Sequence, residues 1–425
     1  MVGSLFLWLP ASWNGEGKLK YIDALFTSTS AVCVTGLVCV DTAQYSLFGK
    51  SIILLLIQFG GLGIITFTTI FLANPRGKIS LANRKLIGDY YLSSIEVNPR
   101  KIIRNIIVFT FSFELLGALC MFPVFHREKG LWAVFTSLFH AISAFCNAGF
   151  STFSDNLAGY VTNPTINFTI MCLIVLGGMG FVVQEDLIKH AMGFRRRLAL
   201  HTKLVISITL ILVLGGAAVY LLFEWGNAYA ALNAPQKILA SLFQSVTPRT
   251  AGFNTVDQAA LSFPSKVFTL LLMYVGASPA STGGGIKTTT FFMVLVMILR
   301  GSEAREDIRI FGRKVSQGSI SRAMMFALRA LAILSVAIFA LTVTDLFLFP
   351  HEGKQFIDIV FEVFSAFGTV GLSLGITPYL TAMGKGIIIL TMFAGRVGMA
   401  ALAVSVPSRL PKRIVDIPEE EVLVG

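Results

Sequence analysis

The chain has 425 residues, of which 55% are hydrophobic and only 13% charged, and its mean hydropathy is +0.75. That composition excludes an ordinary soluble globular protein and points to a membrane. The formal charge of +11 is no sign of a nucleic-acid partner, because 21 of the 34 Lys and Arg residues lie in Arg76 to Arg104, Lys189 to Lys203, Arg300 to Arg322 and Arg409 to Arg413, between or after apolar runs, where positive charge marks cytoplasmic segments.

In chain order, Gly3 to Pro10 is too short to span and lacks an A-x-A-like cleavage site, so it reads as the remnant of a helix. From Asp23 the chain reads DALFTSTSAVCVTGL, a short run of small and apolar residues that breaks at Gly36. Ser51 to Ala73 then reaches the roughly 20 residues a membrane helix needs, with Gly60 inside the run QFGGLG. The same succession returns three times. LFHAISAFCNAGF from Leu138 breaks at Gly149, and VLGGMG with Gly177 follows. LFQSVTPRTAGF from Leu242 breaks at Gly252, and VGASPASTGGGIK follows from Gly276. FEVFSAFGTVGL from Phe361 breaks at Gly371, and FAGRVG with Gly395 follows.

These are four copies of one pattern, the kind of regularity that decides a fold. A Phe lies ten positions and a Ser six positions before the glycine in three copies, as Phe26 and Ser30, Phe139 and Ser143, Phe361 and Ser365. The third copy slips, with Phe243 and Ser245 the nearest matches. Each run is too short to cross, which predicts a re-entrant hairpin: a half-helix entering from outside, then extended backbone lining water or packed in protein. Four hairpins around one axis line a pore. The second glycines follow the first by 24, 28, 24 and 24 residues, and predict helix interruptions at one common depth below the hairpins.

A dehydrated monovalent cation needs several oxygen ligands, and backbone carbonyls supply them without formal charge. The tripeptides Val34-Thr35-Gly36, Asn147-Ala148-Gly149, Thr250-Ala251-Gly252 and Thr369-Val370-Gly371 contain no acid. A divalent-cation ring of Asp or Glu is therefore excluded there, while the negative ends of four half-helices favour a cation. Cys33, Cys39, Cys120, Cys146 and Cys172 lack CxxC spacing and read as free buried thiols. No nucleotide motif and no catalytic clustering of His, Asp, Glu or Cys in the hairpins supports an enzyme.

VTGL at Val34, SAFCNAGF at Ser143, TPRTAGF at Thr247, FSAFGTVGL at Phe364 and the tail EEEVLVG together resemble the Trk/Ktr/HKT superfamily of potassium transporters, and most closely its KtrB-type subunits, over nearly the whole chain. The resemblance implies an all-α membrane protein of four tandem helix, pore-loop, helix units around a central pore: residues 1–98, 99–192, 193–302 and 303–425. It implies a full membrane helix ahead of the first hairpin, where this sequence supplies Val2 to Pro10. It makes Gly36, Gly149, Gly252 and Gly371 the filter glycines; glycine at all four positions goes with K+ selectivity, and Ser at the first with Na+ transport.

The family's gate corresponds to the third inner-helix break, Gly276, Ala277, Ser278, Pro279, Ala280, Ser281, Thr282, Gly283, Gly284 and Gly285 through Lys287. Proline, three glycines and competing hydroxyls also argue against a continuous helix there. Lys287 faces either the cavity or the cytoplasmic mouth. Arg396 matches the family's arginine below the filter, an electrostatic barrier; an ion pair with an acid such as Glu114 is the alternative. Val397-Gly398-Met399-Ala400 departs from the family's Gly-Pro-Leu-Thr run. Arg249 and Glu362 match family positions and are expected to brace the filter as a buried ion pair, whereas His140 reads as a packing residue. Further implications are a homodimer in membrane lipid, a cytoplasmic KtrA-type nucleotide-binding ring as regulator, K+ as transported ion and Na+ as activating or coupling ion. A sodium transporter of the same fold is the nearest rival, and a membrane enzyme or scaffold a more distant one.

Overall fold

The computed structural model describes residues 1–73, 99–194, 197–300, 309–311, 313–315, 317–349 and 353–405, without side chains for 64–73, 99–102, 300, 309, 313–314, 317 and 398–405. Most of the first basic segment, Arg195 and Arg196, residues 301–308 and the basic tail with EEEVLVG lie outside the described residues, as do the boundaries expected at 98 and 302.

Among the described residues the regular structure is helical apart from one pair of two-residue strands, Arg309–Ile310 with Arg313–Lys314. In order the helices are α1 (Val2–Trp8), α2 (Tyr21–Val32), α3 (Leu47–Ala73), α4 (Pro99–Lys129), α5 (Ala133–Phe145), α6 (Pro164–Met179) and α7 (Phe181–Ala191). There follow α8 (Leu200–Glu224), α9 (Ala234–Val246), α10 (Phe263–Tyr274), α11 (Thr288–Arg300), α12 (Gln317–Thr342), α13 (Phe356–Gly368) and α14 (Ala382–Ser405). The stretches Ile103–Phe145, Leu200–Glu224 and Gly318–Leu348 are long and apolar enough to cross a membrane, and α6 with α7 forms a span bent by 102°. Their outer faces carry exposed apolar side chains, among them Leu115 and Leu119 of α4, Ile211 and Leu214 of α8, and Val336 and Phe339 of α12. On helices this apolar, such faces meet lipid. The chain is a multi-pass membrane protein.

Helices α2, α5, α9 and α13 have 12 or 13 residues, about 18 to 20 Å at 1.5 Å per residue and short of a roughly 30 Å hydrocarbon core. They are the four runs that precede the hairpin glycines. Each is buried by the segment before it. One apolar cluster sets Leu7, Ile53 and Ile57 against Phe139, Ile142 and Phe150 of the second hairpin. Another sets α4 and α6 against Phe243, Val246 and Phe253 of the third. Met273 of α10 packs with Phe361 and Val370 of the fourth, and Leu334, Phe367 and Ile388 pack with Phe26, Cys33 and Leu37 of the first. The packing closes a ring.

Two of the expected interruptions are absent. Helix α3 runs unbroken through Gly60, and α14 runs through Gly395 and through 397–400. A Cβ at Gly60 would overlap the carbonyl of Val32, and one at Gly395 the carbonyl of Phe367. These glycines let an inner helix approach the carboxyl end of a short helix, the close-packing use of glycine in membranes. Gly177 does the same against Phe145, while the break in that helix comes three residues later at Gly180, where φ is 86°. Only at Gly276 does the helix give way to a long loop, residues 275–287.

Candidate functional site: the four hairpin tips and the loop beneath them

At each hairpin tip the backbone has the same handedness pattern. Val34, Asn147, Thr250 and Thr369 have φ of 55, 60, 72 and 49°, and Gly36, Gly149, Gly252 and Gly371 have φ of 91, 69, 74 and 93°. Three of the four non-glycine residues are β-branched, for which positive φ is a genuine outlier, and such strain gathers at functional sites. With one ordinary residue between two left-handed ones, successive carbonyls turn to one side of the chain instead of alternating. Eleven of the twelve tripeptide residues are buried, and Gly371 is half-buried.

The four tips touch in cyclic order. A Cβ on Gly36 would overlap the carbonyl oxygen of Ala148, one on Gly149 that of Ala251, one on Gly252 that of Val370, and one on Gly371 that of Thr35. The middle carbonyl of every tripeptide therefore meets the glycine of the hairpin before it, and the last hairpin closes on the first. Hydroxyls hold the turns. The amides of Gly36 and Gly371 each donate to a serine, Ser30 and Ser365, at 3.0 Å. Ser143 donates to the carbonyl of Phe150 at 2.8 Å, and Thr247 donates to that of Phe253. Thr247, not Ser245, thus holds the serine position of the third copy, four residues after Phe243 as in the other copies. That turn is one residue shorter, whereas Ser245 donates to the Val213 carbonyl in α8 at 2.8 Å.

The 276–287 loop lies directly under these tips. Gly284 donates its amide to Thr369 Oγ1 at 3.0 Å, and a Cβ at Gly283 would overlap Thr250 Oγ1. Ser278 and Thr282 donate their amides to the carbonyls of Gly178 and Gly177 at 3.0 and 3.3 Å, and Phe181 donates to Ala280 at 3.0 Å. The Gly180 bend accommodates the loop, since a Cβ there would overlap the carbonyl of Pro279. Within the loop Gly276 donates to Ile286 at 2.8 Å, Thr288 to Ala277 at 3.3 Å, and Ser281 Oγ to Ser278 at 2.6 Å. Lys287 is half-buried and turns back on the loop, its Nζ 2.6 Å from the Gly283 carbonyl. Gly285, with φ of 67°, completes the turn. Arg396, only 7% exposed, donates to the carbonyls of Thr282 and Gly60. It therefore joins the loop to α3 from α14.

A profile of the TrkH family, described as cation transport protein, matches residues 7–414. The chain belongs to the TrkH cation transport family. Among TrkH-family relatives, the Ktr system potassium uptake protein B of Bacillus subtilis is 40% identical, covering 100% of this chain and 94% of its own length. The potassium/sodium uptake protein NtpJ of Enterococcus hirae is 35% identical over 100% and 94%. The Ktr system potassium uptake protein B of Vibrio alginolyticus is 36% identical over 96% and 89%. The crystal structure of TrkH from Vibrio parahaemolyticus shares the fold, with a TM-score of 0.73 at 18% identity over 92% of this chain and 79% of that one.

Arg249 and Glu362, expected to brace the tips as a buried ion pair, do not pair with each other. Arg249 stands three residues before Gly252, at the inner end of α9, in a crevice with Ile174, Gly178, Val246 and Ala277, and its Nη2 lies 3.4 Å from Thr209 Oγ1. Glu362 is the middle residue of α13, nine residues before Gly371, and accepts from Ser373 at 2.7 Å and Thr377 at 2.5 Å. Each is met within its own unit, Arg249 by Thr209 of α8 and Glu362 by the segment after Gly371. The Arg396 to Glu114 pair is absent as well. Glu114 accepts from Gln58 Nε2 at 3.3 Å and from the Cys146 thiol at 3.8 Å. All five cysteines are free, but Cys120 and Cys172 are exposed on their helices, not buried. Lys385, in α14, forms a buried ion pair with Asp23 at 2.6 Å.

Proposed function

We propose that this chain is the K+-translocating subunit of a bacterial potassium uptake system, built of four helix, pore-loop, helix units around one pore in the plasma membrane. The observation that carries the reading is the closed ring of glycines and carbonyls, Gly36 on Ala148 through Gly371 on Thr35. Carbonyls of the tripeptides at Val34 to Gly36, Asn147 to Gly149, Thr250 to Gly252 and Thr369 to Gly371 replace the water shell of K+ without adding charge. Potassium is the cargo, drawn inward by a membrane potential worth about 2.3 kcal/mol per charge per 100 mV. Glycine at all four tips favours K+ over Na+.

Residues 276–287 act as the gate in its closed position, with Arg396 as latch and electrostatic barrier. The pore loops enter from outside and the basic segments face the cytoplasm. Two relatives are named as proteins of a Ktr potassium uptake system, which supports a partner: a cytoplasmic KtrA-type nucleotide-binding ring acting on a homodimer. The second reading is Na+ transport, or Na+ as a coupling ion, favoured by the potassium/sodium uptake relative.

Rubidium uptake in bacteria lacking their own K+ uptake systems, with the KtrA-type partner supplied, tests the proposal. Saturable uptake that excess Na+ leaves unchanged is expected. Failure to take up rubidium while the protein stands in the membrane overturns it, and full competition by Na+ selects the second reading.

A further inference from the structure

The residue immediately after the repeated phenylalanine is polar in all four short helices: Thr27, His140, Gln244 and Glu362. All four are 0% exposed, like the phenylalanines before them. Each reaches the segment that leaves its own filter tripeptide. Tyr45 Oη donates to Thr27 Oγ1 at 3.3 Å. His140 Nε2 lies 2.9 Å from Ser151 Oγ, and its Nδ1 lies 2.8 Å from the Thr136 carbonyl. Gln244 and Gln258 exchange two amide bonds, at 2.7 and 3.1 Å. Glu362 takes both Ser373 and Thr377.

A buried polar group finds a partner in most proteins, so any one of these bonds is unremarkable by itself. What recurs is the register. Four different chemistries, hydroxyl, imidazole, amide and carboxylate, stand at one helical position and cross to the same part of the chain. Ser151 and Ser373 even hold the same place, two residues after Gly149 and Gly371. We infer that Thr27, His140, Gln244 and Glu362 are positioning residues of the filter, each pinning the return segment of its own pore loop so that the carbonyl ring keeps its width. The inference rests on the filter reading proposed above. Ion choice by carbonyls depends on how firmly the oxygens hold their spacing, and hydrogen bonds behind the backbone supply that firmness. The carboxylate of Glu362 has no cationic partner among the described residues; it acts through Ser373 and Thr377.

The test is the ratio of rubidium to sodium uptake by the full chain in uptake-deficient cells, a quantity independent of how much protein each variant makes. Glu362→Ala is expected to lower the ratio about fivefold, the effect of losing one ordinary hydrogen bond's worth of bias. Glu362→Gln keeps an oxygen for the hydroxyls and is expected to stay within about twofold of the parent. Should Glu362→Ala be missing from the membrane, Ser373→Ala and Thr377→Val cut the same brace from its other end and are expected to lower the ratio likewise. An unchanged ratio in brace variants present in the membrane overturns the inference. Gly371→Ala separates the two claims: if it too leaves the ratio unchanged, the filter reading falls, whereas a ratio moved by Gly371→Ala alone removes only the braces.

Discussion

Arg396 donates to the main-chain carbonyl of Thr282, 114 positions away in sequence. A charge at this depth is expensive and is normally met by an acid. Here two carbonyls meet it, Thr282 and Gly60, and on the pore reading proposed above its charge stands where a cation would pass. The same contact fastens the 276–287 loop.

Replacing Arg396 by Ala removes both bonds and the barrier. Charge-assisted hydrogen bonds contribute about 1.5 to 3 kcal/mol each, so rubidium uptake is expected to rise at least several-fold. Arg396→Lys carries the charge on a single point instead of a planar fork and should fall between the two. Initial rates in uptake-deficient cells read the order.

Deleting Ser278 to Gly284 removes the residues that bond Gly177, Gly178 and Thr369. Uptake by the deletion variant is expected to exceed that of the parent and to lose its dependence on the cytoplasmic partner. Lower uptake by a protein that is present and monodisperse in detergent would contradict a gating role for the loop.

Thr369→Val keeps a β-branched side chain at the left-handed position but takes away the acceptor of the Gly284 amide. A buried donor left unsatisfied costs about 1 to 3 kcal/mol. The loop is therefore held less tightly, and basal rubidium uptake is expected to rise, by less than in the Arg396→Ala variant.

Gly60 and Gly395 should not tolerate a methyl group, because it would overlap the Val32 and Phe367 carbonyls. Overpacking of this kind costs about 1 to 3 kcal/mol. Gly386, in the same helix as Gly395, has no atom within 4 Å of a built Cβ, and Ala there is expected to be neutral or mildly stabilising. Thermal unfolding of the three purified variants in detergent checks the contrast.

The four hairpin turns were legible in the sequence because their signal is local. Glycine after a run too short to span marks a turn at membrane depth, and all four predicted glycines stand at left-handed tips. The inner glycines were harder. The same residue type serves a break at Gly180 and close packing at Gly60 and Gly395, and only the carbonyl of Val32 or Phe367 on the facing helix tells the two apart. Pairings across the ring were not legible at all. Glu362 and Arg249 looked complementary by charge, but charge does not say which neighbours reach each first: Ser373 and Thr377 meet Glu362, and Thr209 meets Arg249. Lys385 and Asp23 pair across 362 residues, brought together because the fourth hairpin closes on the first. The third copy misled by two residues, Ser245 for Thr247, since a Thr replaced the Ser and the turn was shortened at the same point.

The central claim is that an ion sits between the four glycines. Anomalous diffraction from crystals of the complex grown in rubidium tests it directly. Density is expected on the axis, level with the carbonyls of Thr35, Ala148, Ala251 and Val370, and none when sodium replaces rubidium. Rubidium bound elsewhere in the pore, with the space between Gly36, Gly149, Gly252 and Gly371 empty, would contradict it.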